Sequence, residues 1–171
     1  MFSLTRILVP TNLGEPSKAA IKYGVAFARQ FDAQLFVVHV LDEKAFEAAI
    51  ETERVVETLM PDESAASASP PNPETVARNA AREDMSRLLD EDDEQAARVE
   101  YLLRSSKSHG SGDAIVDCAS ELGVQLVVMG KHRMGFVEHL ITGSVTEKVV
   151  RDAPCPVLIV HYPEQEFVVD D

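Results

Sequence analysis

Leu126-Val127-Val128-Met129-Gly130-Lys131-His132-Arg133-Met134-Gly135, running on through Thr142-Gly143-Ser144 to Val145-Thr146-Glu147, decides how this chain is read. The four apolar residues at its start have the form of a buried strand. The glycine-containing stretch after them is basic, with Lys131 and Arg133. Ser144 and Glu147 then form an S-x-x-E capping box that opens a helix. A helix N-terminus presents unpaired N–H groups and partial positive charge, so strand, basic loop and capped helix together make a place for an anion.

The same grammar extends outward in both directions. Arg6-Ile7-Leu8-Val9-Pro10 reads as a short buried strand, and Gly14-Glu15-Pro16 starts a helix with Pro16 in its first turn. Ala20, Ile21, Gly24, Val25, Phe27, Ala28 and Phe31 recur at helical spacing along it. Gln34 to Val40 is a strand apolar on both faces, the kind found in parallel sheets covered by helices. Ala45 to Met60 has helical apolar spacing, and Ala65 to Pro73 is a tract of small residues and prolines, read as a loop. Helical periodicity resumes from Glu74 to Leu89. The acidic run Asp90 to Glu94 lacks the glycine and ligand spacing of a calcium loop and is expected to be a solvated turn. Val99, Tyr101 and Leu103 alternate as a strand; Gly110 to Gly112 lead into a helix carrying Ala114, Ile115, Cys118, Ala119 and Leu122. After Leu126–Met129 comes a helix from Ser144 to about Asp152, stopped by Pro154, and a last strand over residues 156–160. Alternation of this kind predicts an α/β fold, a doubly wound parallel sheet of five strands with right-handed crossovers. At 171 residues the chain suits a single domain, with an insertion at about 42–73 and a short acidic tail.

Composition narrows the function classes. Acidic side chains outnumber basic ones 29 to 16, a formal charge of −13, which repels nucleic acid and anionic lipid at long range. Apolar runs stop well short of the ~20 residues of a membrane span, and Met1-Phe2-Ser3-Leu4-Thr5-Arg6 leads straight into a strand without a signal-peptide pattern. No nucleic acid, no membrane insertion and a cytoplasmic location are therefore expected. Cys118 and Cys155 sit in apolar surroundings and read as reduced core thiols. His39, on a buried strand, reads as a core histidine. His132 and His139 lack a third ligand for zinc. There is no nucleophile elbow, Walker lysine motif or paired-carboxylate site, so these residues predict no catalytic constellation.

The chain resembles the universal stress protein family. The resemblance rests on Ile7-Leu8-Val9-Pro10, on Glu15-Pro16-Ser17 with Ala19-Ala20 and Tyr23, on Val38-His39-Val40, and on Gly112 with Ala114-Ile115. It continues through Val127-Val128-Met129-Gly130 and is densest over residues 143–150 and 153–160. It implies a Rossmann-like sheet of order 3-2-1-4-5 and a homodimer paired through the C-terminal strand. In such a sheet ligands bind where the strand order reverses, outside the carboxyl ends of the strands. Those ends are Pro10-Thr11-Asn12 and Gly130-Lys131, so the anion site and the topological site coincide.

The resemblance also implies an ATP or adenine-nucleotide site, with or without magnesium. Asn12 would lie near the ribose, the backbone of Val40 near the base, and Gly130, Arg133, Gly143 and Ser144 around the phosphates. Pro10, Thr11, Met129, Lys131, Gly135 and Val145 complete the expected set. The chain departs from the family at three positions: Asn12 and Gln125 stand where acidic residues are usual, and Arg133 where the loop has its middle glycine. The implied function is a nucleotide-binding regulator acting on a partner protein. A same-fold interaction protein without nucleotide and a very slow ATPase are the alternatives.

Overall fold

The computed structural model describes residues 3–41, 73–106, 110–132 and 144–162, and every structural statement below concerns these. Five parallel strands form one sheet: β1 (Arg6–Thr11), β2 (Gln34–Leu41), β3 (Val99–Ser105), β4 (Leu126–His132) and β5 (Val157–Tyr162). Their order is β3-β2-β1-β4-β5, as expected for the doubly wound fold. The helices are α1 (Glu15–Phe31), α2 (Pro73–Ser86), α3 (Glu91–Ala96), α4 (Ser111–Leu122) and α5 (Ser144–Asp152). The helix expected over residues 45–60 and the proline tract lie outside the described residues.

Strand alternation sends side chains to two cores. Ile7 and Val9 of β1 and Leu35 and Val37 of β2 pack with Ala20, Ile21, Val25 and Ala28 of α1 and Met85 of α2. Leu8, Phe36, Val38 and Val127 point the other way, to Ile115, Cys118 and Ala119 of α4 and Val149 of α5. Each strand of the centre is thus buried on both faces, which is why its sequence is a continuous apolar run. Pro16 stands in the first turn of α1. Phe31, counted above among the apolar positions of α1, is instead 47% exposed, its ring 6.5 Å from that of Phe27. Cys118 is buried in the second core and Cys155 packs against it. Both are free thiols, and burial pushes each thiol up, away from the reactive thiolate.

The acidic run is a correction. Residues 91–96 form a helix rather than a turn, opened by Asp90, whose carboxylate accepts the Asp93 N–H at 2.8 Å. Four carboxylates in its first turn face the positive end of the dipole, which favours them. Tertiary pairs hold the segment in place, Asp93 with Arg29 of α1 and Glu94 with Tyr101 of β3. No cluster of metal-ligating side chains forms there or elsewhere among the described residues.

The Tyr101 hydroxyl donates to Glu94 Oε1 at 2.5 Å. Burial, reinforced by that bond and the adjacent charge, holds its phenol well above the ordinary range. The stability this confers is complete below the unfolded value of about 10 and declines as pH rises beyond it, because only the unfolded phenol then ionises. Tyr101→Phe is therefore expected to be less stable than the parent at pH 7, with the gap closing above pH 10. Urea unfolding of both proteins across pH 7 to 11 measures it, and a gap that stays constant would contradict the assignment.

Candidate functional site

Gly130 sits where β4 passes beneath the start of α1. A Cβ placed on it would lie 1.8 Å from the carbonyl oxygen of Pro16 and 2.2 Å from its carbonyl carbon. Only a residue without a side chain lets the strand and the helix N-terminus approach this closely. The contact brings the first turn of α1 against the carboxyl end of β4 and so shapes one wall of a cleft.

That cleft, about 400 Å³, opens over the carboxyl ends of the strands. Its floor is Pro10, Thr11 and Asn12 from β1 and its loop, Val38, His39 and Val40 from β2, and Met129, Gly130 and Lys131 from β4. The N-terminal turns of three helices border it: Pro16 and Ser17 of α1, Ser111 and Ile115 of α4, and Val145 and Thr146 of α5. Their partial positive charges add at one place. None of the fifteen lining residues is acidic, although the chain carries 29 acidic side chains. Lys131 is the one formal cation among them and has no ion-pair partner among the described residues.

The loop after β1 is braced by its own side chains. Leu13 adopts the left-handed conformation at φ 64°, and its N–H donates to Thr11 Oγ1 at 2.9 Å. The Thr11 hydroxyl donates to Ser17 Oγ at 3.0 Å, and Gly14 N–H donates to Asn12 Oδ1 at 3.1 Å. His39 pairs in register with Thr11, and its Nδ1 lies 2.8 Å from the Thr11 carbonyl oxygen. Since a carbonyl only accepts, Nδ1 carries the proton and a neutral ring keeps Nε2 as an acceptor. His39 is thus a half-buried residue of the cleft wall, not the core histidine expected from its strand.

Of the twelve positions singled out from sequence, Pro10, Thr11, Asn12, Val40, Met129, Gly130, Lys131 and Val145 lie together on the cleft. Arg133, Gly135 and Gly143 fall outside the described residues, as does the side chain of Ser144. Pro16, Ser17, Val38, His39, Ser111, Ile115 and Thr146 line the cleft without having been named as site residues. For Ser17 and Ser111 a signal existed, since both sit in first helical turns beside the switch point. Gln125 lies at the opposite end of the sheet. Its Oε1 accepts the backbone N–H groups of Thr5 and Arg6 at 3.2 and 2.8 Å, so its departure from the family pattern has no bearing on the cleft.

A second hollow of about 350 Å³ lies between α4 and α5, bordered by Asp113, Glu147, Lys148 and Arg151. Its lysine is already engaged: Lys148 Nζ is 2.7 Å from Asp113 and 2.9 Å from Asp152. Lys131 of the first cleft, by contrast, has no ion-pair partner among the described residues.

Fold and cleft define a doubly wound α/β protein with a crevice at its topological switch point whose described lining carries one lysine and no carboxylate. The universal stress protein family matches residues 3–161, and the chain belongs to that family. It is similar to a universal stress protein of Methanocaldococcus jannaschii, 24% identical over 161 residues that cover 94% of this chain and 84% of that one. Among solved structures it is similar to a universal stress protein from Archaeoglobus fulgidus in complex with dAMP, at TM-score 0.54 and 17% identity, covering 93% and 98% of the two chains. A universal stress protein in complex with cAMP gives TM-score 0.55 at 18% identity, covering 94% and 98%. No helix among the described residues is long and apolar enough to cross a membrane.

Proposed function

We propose that this chain is an adenine-nucleotide-binding regulator that takes ATP, with magnesium, in the cleft over the strand ends. The observation that carries the reading is electrostatic: in a chain of net charge −13, the fifteen described residues that line the cleft include no carboxylate, and their lysine has no ion-pair partner among the described residues. Three helix N-termini add to the attraction for phosphate. Neighbours of the same fold hold dAMP and cAMP, which supports an adenine nucleotide as the occupant.

Asn12 then stands by the ribose, the Val40 backbone by the base, and Lys131 and the first turn of α5 by the phosphates, with Arg133 and Gly143 reaching them from the loop between. With no carboxylate on the described walls to act as general base, turnover is at most slow hydrolysis. In this reading the protein works in the cytoplasm as a homodimer through β5, an edge strand of the sheet, and nucleotide occupancy alters what it presents to a partner protein.

Calorimetric titration of nucleotide-stripped protein with ATP and magnesium tests this. A saturable isotherm is expected, together with thermal stabilisation of about 3 kcal/mol at a hundredfold excess over Kd. Absence of both heat and stabilisation at millimolar ATP would overturn the proposal and turn attention to the interaction-protein alternative.

A further inference from the structure

The orientation of the Asn12 amide sets what the β1 side of the cleft can offer a ligand. Gly14 N–H can only donate, so the Asn12 atom it meets at 3.1 Å is the amide oxygen. The Ser17 hydroxyl also lies 3.1 Å from that oxygen. Ser17 is buried, and Thr11 donates to it in turn. The acceptor end of Asn12 is therefore committed to the loop. Its Nδ2 has no partner among the described residues, and Asn12 is exposed on the cleft wall.

A carboxylate in this place would keep the loop bonds on one oxygen and use the other to accept from a sugar hydroxyl. It would also repel a phosphate there. The amide does the opposite. Its free end can only donate, it carries no charge, and the only formal charge on the described lining is the Lys131 cation. A hydroxyl can accept from Nδ2, but an anionic oxygen makes the bond charge-assisted and roughly twice as strong.

Resting on the adenine-nucleotide reading above, we infer that the cleft prefers nucleotides whose ribose carries a phosphate on its 2′ or 3′ oxygen. Asn12 Nδ2 donates to that phosphate. Asn12 acts here as a specificity residue, and the ligand class is an adenosine bisphosphate or a larger molecule with that headgroup.

The test compares ADP, adenosine 3′,5′-bisphosphate and adenosine 2′,5′-bisphosphate by calorimetry on the full chain. All three carry two phosphates, so position is the main variable. At least one of the two ribose-phosphorylated ligands is expected to bind about tenfold more tightly than ADP, the difference made by one charge-assisted bond. Asn12→Asp retains an oxygen for Gly14 N–H, so it folds, and it is expected to reverse the order in favour of ADP. The inference is overturned if ADP binds as tightly as both bisphosphates, or if Asn12→Asp leaves the preference intact. In either case ADP binding leaves the adenine-nucleotide reading standing. Failure of all three ligands to bind overturns both.

Discussion

Gly130→Ala is expected to lower stability by about 3 kcal/mol or more, a fall in Tm of roughly 6–12 °C for a chain of this size. The added methyl meets backbone, not a side chain able to rotate away: the Pro16 carbonyl oxygen would lie 1.8 Å from the new carbon. Accommodation requires the first turn of α1 to retreat from β4 by about 1 Å or more. That turn carries Ser17, whose hydroxyl braces Thr11 and lies within bonding distance of Asn12, so the loop beside the cleft moves with it. Thermal and urea unfolding without ligand measure the effect. An alanine variant as stable as the parent would show that the close approach is not what requires glycine here.

Lys131→Glu, one residue away, is expected to do the reverse: leave the fold intact and remove nucleotide affinity. Lys131 lines the cleft and makes no ion pair with any described residue, so its replacement breaks no internal bond. A glutamate there places negative charge where three helix N-termini converge and competes with phosphate for the same N–H groups. Loss of one charge-assisted contact together with the new repulsion should weaken ATP binding on the order of a hundredfold. Unfolding free energy should stay within about 0.5 kcal/mol of the parent. Calorimetry with ATP and magnesium on both proteins provides the readout. Unchanged affinity would remove Lys131 from the phosphate side of the cleft.

The two variants separate meanings that one motif runs together. Gly130-Lys131 reads in sequence as the start of a ligand loop, and both residues line the cleft, at the end of β4. Yet the glycine is required first by Pro16, 114 positions earlier in the chain, across a contact that no local pattern records.

Elements whose burial is continuous were legible from residue pattern: β1, β2 and β4 as apolar runs, α1 and α4 by their helical spacing. The sheet order followed from the family resemblance joined to that alternation. The short helix α3 was not legible. Five polar residues and one alanine carry no apolar period, and the segment is fixed by its cap and by Arg29 and Tyr101 from distant elements. His39 was misjudged for a related reason. It follows buried residues of β2, but the strand runs out from under the helices just there, and a core position becomes a cleft wall.

Sequence alone determined the alternation of strands and helices, the family, and the location of a cleft at the strand ends, because periodicity, capping and charge are local properties of the chain. Tertiary structure alone decided which way the Asn12 amide faces, that Gly130 answers to α1, and that no acidic side chain reaches the described cleft walls. These depend on which groups meet across the fold, where hydrogen-bond polarity and close contact act over a few ångströms regardless of separation along the chain.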